Sequence, residues 1–154
     1  MNVPNALTLL RVALIPVFFF AFMQETSSGN ILGALIFGIA SLTDFLDGYL
    51  ARRDNLITNF GKIMDPLADK LLVMAALLCL IAVDRVGVWV VALILGRELT
   101  ITGLRSVAAA EGIVIAASPL GKTKTITQMI AIFLLLLNVS WAIYLLYIAL
   151  ILTL

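Results

Sequence analysis

Apolar residues run along this chain in long blocks, and polar or Gly/Pro punctuation divides them into six stretches at roughly residues 5–23, 31–52, 63–83, 87–110, 122–137 and 139–154. A membrane-crossing helix needs about 20 mostly apolar residues. The pattern therefore predicts an all-α integral membrane protein of six transmembrane helices. The last two stretches are the shortest, parted only around Asn138 and Ser140. A single helix there would overshoot the hydrocarbon by about 15 Å, so a tight turn is expected. Pro4, Asn5 and Thr8 precede the first apolar run and no small-residue cleavage pattern follows Met23, so the first stretch is expected to be mature protein and not a leader.

Composition strengthens this reading, with 63% hydrophobic and 12% charged residues among 154 against about 45–50% and 25% in soluble domains. No linker-like segment interrupts the chain, so residues 1–154 are expected to form one domain. Ten Lys+Arg face nine Asp+Glu with no long basic tract, which argues against a nucleic-acid partner. The positions of the charges say more than their sum. Arg52, Arg53 and Lys62 fall in the second loop and Lys122 and Lys124 close the fourth, whereas the third holds only Arg85 and the first and fifth hold no base. Basic residues accumulate on the cytoplasmic side. Both termini are therefore expected in the cytoplasm. Cys79 has no partner cysteine, which excludes an intramolecular disulfide, and no internal repeat suggests an inverted-repeat transporter.

Five of the nine acids, Asp44, Asp47, Asp54, Asp65 and Asp69, fall within residues 44–69. On a helix Asp44, Asp47, Gly48 and Ala51 share one face, and Asp65 and Asp69, four apart, share another, with Pro66 suited to the first turn of the third helix. A helical hairpin can bring these faces together near the cytoplasmic interface. Four converging carboxylates repel one another unless a divalent cation with a taste for hard oxygen ligands, Mg²⁺ or Mn²⁺, joins them. The chain has no His, so a zinc site is not expected. Two ions would suit a phosphoryl displacement, with a diphosphate as the guest. Gly48 and Ala51 lack the bulk to keep a nucleotide off the helix. Interfacial ion pairs with Arg52, Arg53, Lys62 and Lys70 are the plainer explanation for a single aspartate. Four at matched spacing point to function, because charged groups in membrane segments are costly.

Written out, Asp44-x2-Asp47-Gly48-x2-Ala51-Arg52-x8-Gly61-x3-Asp65-x3-Asp69 resembles the signature of the CDP-alcohol phosphatidyltransferases at every fixed position. The segments 2–11, 96–105 and 121–125 also look like the bacterial branch of that family that uses glycerol 3-phosphate, although the chain is short for that branch. The resemblance implies transfer of a phosphatidyl group from CDP-diacylglycerol to sn-glycerol 3-phosphate with release of CMP, on a six-helix homodimeric fold among the lipids of the bacterial inner membrane, with the active site facing the cytoplasm. It implies two ions per active site, with Asp44, Asp47 and Asp65 as core ligands and Asp69 as general base that also touches an ion. Gly48, Ala51, Arg52 and Gly61, with Asp47, would then surround the CDP-diacylglycerol headgroup. Asn5, Thr8 and Arg11 are expected either to help hold that headgroup or, for Asn5 and Thr8, to cap the first helix.

A phosphorylated acceptor needs cations apart from the metal cluster. Arg97 and Arg105 are eight apart and lie on roughly one helix face. With Lys122 and Lys124 they form the expected phosphate site, turned toward the bundle interior because hydrocarbon penalises charge. Pairing of Arg97 with a carboxylate and snorkelling of Lys124 are the structural alternatives. Other readings are inositol phosphate, serine or phosphatidylglycerol as acceptor, or, from a different class, a divalent-cation carrier.

Overall fold

A computed structural model describes residues 3–24, 26–53, 55, 59–113, 115 and 119–153, with side chains for all of these except residues 4, 47, 48, 51, 52, 59–63 and 153. Asp54 and the side chains at Asp47, Gly48, Ala51, Arg52, Gly61 and Lys62 thus lie outside the described residues. The described chain forms six helices: α1 (Val3–Phe22), α2 (Ser27–Arg53), α3 (Asn59–Ala82), α4 (Val88–Ala110), α5 (Pro119–Leu136) and α6 (Ala142–Thr153). They match the six apolar blocks. Among the described residues, α1 and α2 contain windows long and apolar enough to cross a membrane, at Asn5–Phe22 and Ser27–Leu46, and α6 is apolar but shorter.

The helices stop where the chain supplies residues that tolerate a left-handed backbone. Asp84 (φ 58°), Gly112 (φ 80°) and Asn138 (φ 64°) follow α3, α4 and α5. Beside them, Arg85 N reaches Leu80 O at 2.9 Å, Ile113 N reaches Ala108 O at 2.8 Å and Val139 N reaches Leu134 O at 3.0 Å. These are the six-to-one closures of helix C-termini. The turn expected near Asn138 is therefore present. At the start of α2, Thr26 Oγ1 accepts from Gly29 N at 3.0 Å, an N-cap bond. The third helix begins earlier than the sequence suggested, at Asn59, so Pro66 sits inside α3 and not in its first turn. A helix can accommodate an internal proline at the expense of one backbone bond.

Helix α1 packs on α2 and α3, α5 packs on α6, α2 and α3, and α4 touches α3 and α6. The α1–α2 contact is close: a Cβ on Gly33 would lie 2.9 Å from Phe22 Cδ2, and one on Gly29 would lie 2.7 Å from the backbone oxygen of Ala21. Small residues allow membrane helices to approach in this way. The core contains Phe18, Phe22, Phe37, Leu72, Leu80, Ile132 and Leu146. In contrast, Phe20, Trp89 and Ile151 are turned outward, the exposure that a hydrocarbon solvent tolerates and water does not. Helix α4 buries only Val91 and Ile94, both in its first half.

One end of the bundle is closed by Arg85. Its Nη1 donates to Leu135 O and Leu136 O, its Nη2 donates to Asn30 Oδ1, and its guanidinium lies over the Phe22 ring. A single cation thereby satisfies terminal carbonyls of α5 and ties α1, α2 and α5 to the α3–α4 connection.

Candidate active site

The opposite end gathers the acidic residues, and α1 clasps the two helices that carry them. Thr8 and Arg11, three apart, share a face of α1, and both are fully buried. Thr8 Oγ1 donates to Asp65 Oδ1 on α3. Arg11 Nη1 pairs with Asp44 Oδ1 on α2 at 3.1 Å, and Arg11 Nε donates to Ala40 O at 3.2 Å. Asp44 and Asp65 therefore meet partners on the first helix, which differs from the unpaired quartet of the sequence argument. Asn5 and Thr8 lie within α1, so neither is the cap of that helix.

Asp69 stands one turn beyond Asp65 on α3. Its Oδ1 is buried with no hydrogen-bond partner among the described residues, while Lys70, Arg11, Glu98 and Lys124 act on it electrostatically. Lys124 does not snorkel. It is buried, and its Nζ lies 2.5 Å from Glu98 Oε1, so α4 and α5 are linked by an enclosed ion pair. Along the same face of α5, Gln128 Oε1 is a second buried acceptor without a partner among the described residues.

The other expected phosphate ligands do not all turn inward. Arg97 is half-buried, whereas Arg105 and Lys122 are exposed. The second half of α4, which carries Arg105, buries no residue in this chain, and Lys122 lies in the first turn of α5. Sequence reasoning assigned no role to Gln128, considered Glu98 only as a carboxylate partner for Arg97, and gave Arg11 only a loose role. Their shared signal was a polar side chain inside an apolar block.

Among the described residues no three His, Cys, Asp or Glu side chains gather as a metal site, with Asp47 outside that set. The donors nevertheless suit a hard divalent cation. They are carboxylate oxygens, one of them buried without a donor among the described residues, and Thr8 engages a single oxygen of Asp65. Beside them an apolar cavity of about 370 Å³ runs between α2 and α5, and among the described residues Asp44 is the one charged member of its lining, which includes Phe37, Phe45, Met129 and Phe133.

An outward-facing apolar helix bundle, with acids and bases gathered at one end beside a greasy cleft, defines a membrane protein that handles polar groups attached to lipid. The CDP-alcohol phosphatidyltransferase family model matches residues 1–154, and the chain belongs to that family. It is 48% identical over 149 residues to the CDP-diacylglycerol–glycerol-3-phosphate 3-phosphatidyltransferase of Bacillus subtilis (strain 168), covering 89% of this chain and 77% of that protein. A protein of the same name from Rickettsia felis is 45% identical over 137 residues, covering 89% and 76%. Its Haemophilus influenzae namesake is 44% identical over 162 residues, covering 99% and 87%.

Proposed function

We propose that this chain transfers the phosphatidyl group of CDP-diacylglycerol to sn-glycerol 3-phosphate, giving phosphatidylglycerophosphate and CMP. The observation that carries the reading is the apolar cavity between α2 and α5 with the Asp44 carboxylate in its lining. A diacylglycerol tail suits such a cleft, and its diphosphate then meets the carboxylate helices. The names of the relatives support the same donor and acceptor.

In this mechanism Asp69 accepts the proton of the primary hydroxyl of glycerol 3-phosphate. The oxygen forms a bond to the phosphorus that bears diacylglycerol, and the bond from that phosphorus to the CMP oxygen breaks, its electron pair leaving with CMP. General-base assistance of this kind contributes about 10²–10⁴-fold. Members of the family generally use divalent metal ions. Asp44, Asp47, Asp65 and Asp69 would hold two of them, Mg²⁺ or Mn²⁺, which when bound draw charge from the diphosphate. Thr8 steadies the Asp65 carboxylate, while Arg11 neutralises Asp44 and fixes α2 against α1. Asn5, Thr8, Asp47, Gly48, Ala51, Arg52 and Gly61 contribute to the donor headgroup site. Arg97 and Lys124 hold the acceptor phosphate, Lys124 through ammonium protons beyond the one given to Glu98, while the exposed Arg105 and Lys122 attract it from the surface.

The six helices cross the bacterial inner membrane as a single multi-pass domain. Both termini and the active site face the cytoplasm, and the working form is a homodimer among membrane lipids. The test is CMP release from CDP-diacylglycerol by purified protein in detergent with Mg²⁺, comparing glycerol 3-phosphate, inositol phosphate and serine. Turnover with glycerol 3-phosphate that falls by at least about 10²-fold in Asp69→Asn is expected. Turnover only with another acceptor overturns the substrate, and silence with all three overturns the transferase reading.

A further inference from the structure

Among the described residues, two buried acceptor atoms remain once the ion pairs and hydrogen bonds at this end of the bundle are assigned. One is Asp69 Oδ1, the oxygen given above to the attacking hydroxyl. The other is Gln128 Oε1. Gln128 is 3% exposed, and a glutamine at such a place ordinarily joins helices by giving its oxygen to a donor on a neighbour. Gln128 Oε1 meets no donor among the described residues. Folding alone gives no reason to bury an amide oxygen in that state. A ligand that brings its own donor gives one.

The position of Gln128 indicates which ligand. It lies one turn from Lys124 on the same face of α5, and both are buried. Lys124 holds Glu98 and acts electrostatically on Asp69, and α3 packs on α5. Counted from the helix starts at Asn59 and Pro119, which lie at the same end of the bundle, Asp69 and Gln128 are both about 14–15 Å deep. Two acceptors at one depth on adjoining helices match two neighbouring hydroxyl donors.

We propose that Gln128 is a specificity-determining residue, whose Oε1 accepts a hydrogen bond from the secondary hydroxyl of the acceptor while Asp69 takes the proton of the adjacent primary hydroxyl. The inference rests on the proposed phosphatidyl transfer to a glycerol phosphate. It assigns the vicinal diol to a pair of groups on α3 and α5, separate from the cations that draw the phosphate.

The experiment compares kcat/KM for sn-glycerol 3-phosphate with that for 3-hydroxypropyl phosphate, which has the attacking hydroxyl and the phosphate but no secondary hydroxyl. Purified full-length protein in detergent is used, with CDP-diacylglycerol and Mg²⁺. Wild type is expected to prefer the diol by about ten- to a hundredfold, the worth of one hydrogen bond to a buried polar group. Gln128→Met, of similar length but without the oxygen acceptor, brings the ratio close to one. Gln128→Glu, which keeps an acceptor, retains a preference. An equal ratio in wild type and Gln128→Met overturns the proposal, as does a Gln128→Met protein that melts like wild type yet turns over neither acceptor. Should Gln128→Met not fold, Gln128→Asn carries the comparison, its shorter amide being expected to lower the ratio, and an unchanged ratio overturns the proposal. Wild-type silence with both acceptors is a different result, which overturns the transferase reading and this inference with it.

Discussion

Replacing Arg85 with methionine separates the stability of the bundle from its chemistry. The guanidinium donates to Leu135 O and Leu136 O at 3.1 Å each and to Asn30 Oδ1 at 3.0 Å, and it lies 5.4 Å from the Phe22 ring centroid. Burial lowers its pKa, yet arginine stays protonated at neutral pH. Methionine keeps much of the aliphatic stem, so the substitution removes mainly the polar contacts. Hydrogen bonds from a charged donor contribute about 1.5–3 kcal/mol each. Three from one half-buried group do not add, because the freed carbonyls regain water. Counting one such bond in full and about 0.5–1 kcal/mol for the cation–π contact gives about 3 kcal/mol. At this chain length each kcal/mol moves Tm by about 2–4 °C, so Tm in detergent is expected to fall by about 6–12 °C. Helix α3 rises about 20 Å over the thirteen residues from Asp69 to its end at Ala82, Arg85 lies past that end, and CMP release measured well below Tm is expected to match wild type. Arg85→Lys keeps the charge but not the fork that reaches two helices, and should recover less than half of the loss. A Tm within about 2 °C of wild type, or a tenfold fall in turnover where the variant is folded, would refute the reasoning.

Other substitutions test other contacts. Lys124→Met leaves Glu98 buried without its cation and is expected to cost about 3–5 kcal/mol, whereas the double variant Glu98→Gln/Lys124→Met should melt above that single variant. Gly29→Val drives a side chain into the Ala21 backbone oxygen and should lower stability by about 1–3 kcal/mol. By contrast, Gly103→Ala meets nothing within 4 Å and should melt at or above wild type. Thr8→Val removes the donor to Asp65, and the Mg²⁺ concentration for half-maximal CMP release should rise about tenfold or more. An unchanged Mg²⁺ requirement would separate Thr8 from the carboxylate site.

How much of this was legible in the sequence depended on the range of the interaction. Helices are local, so the apolar blocks and the polar break at Asn138 marked the six elements within a few residues. The start of α3 was missed because Pro66 resembles a first-turn residue, while the turns before it carry no equally strong mark. Pairing between helices leaves no periodicity to read. Nothing in the spacing joins Thr8 to Asp65 or Arg11 to Asp44, since those contacts depend on which face of α1 meets α2 and α3. The inward turn expected of Arg105 failed for a related reason. Spacing puts two arginines on one face of a helix but does not determine what that face meets, and the second half of α4 buries nothing in this chain.

The polar groups of the bundle fall into two kinds, and the difference bears on function. Arg85 with the carbonyls of α5, Arg11 with Asp44, and Glu98 with Lys124 each join helices and meet their partners within the chain. Such contacts would be expected in any membrane bundle that must close around polar residues, because a group left alone in hydrocarbon is costly. Asp69 Oδ1 and Gln128 Oε1 are enclosed and lack that compensation among the described residues. A mutation of Arg85, which the proposed site does not use, should therefore act first on Tm and a mutation of Asp69 or Gln128 first on turnover, whereas Asp44 and Lys124, which join helices and also serve the proposed site, should move both measurements together.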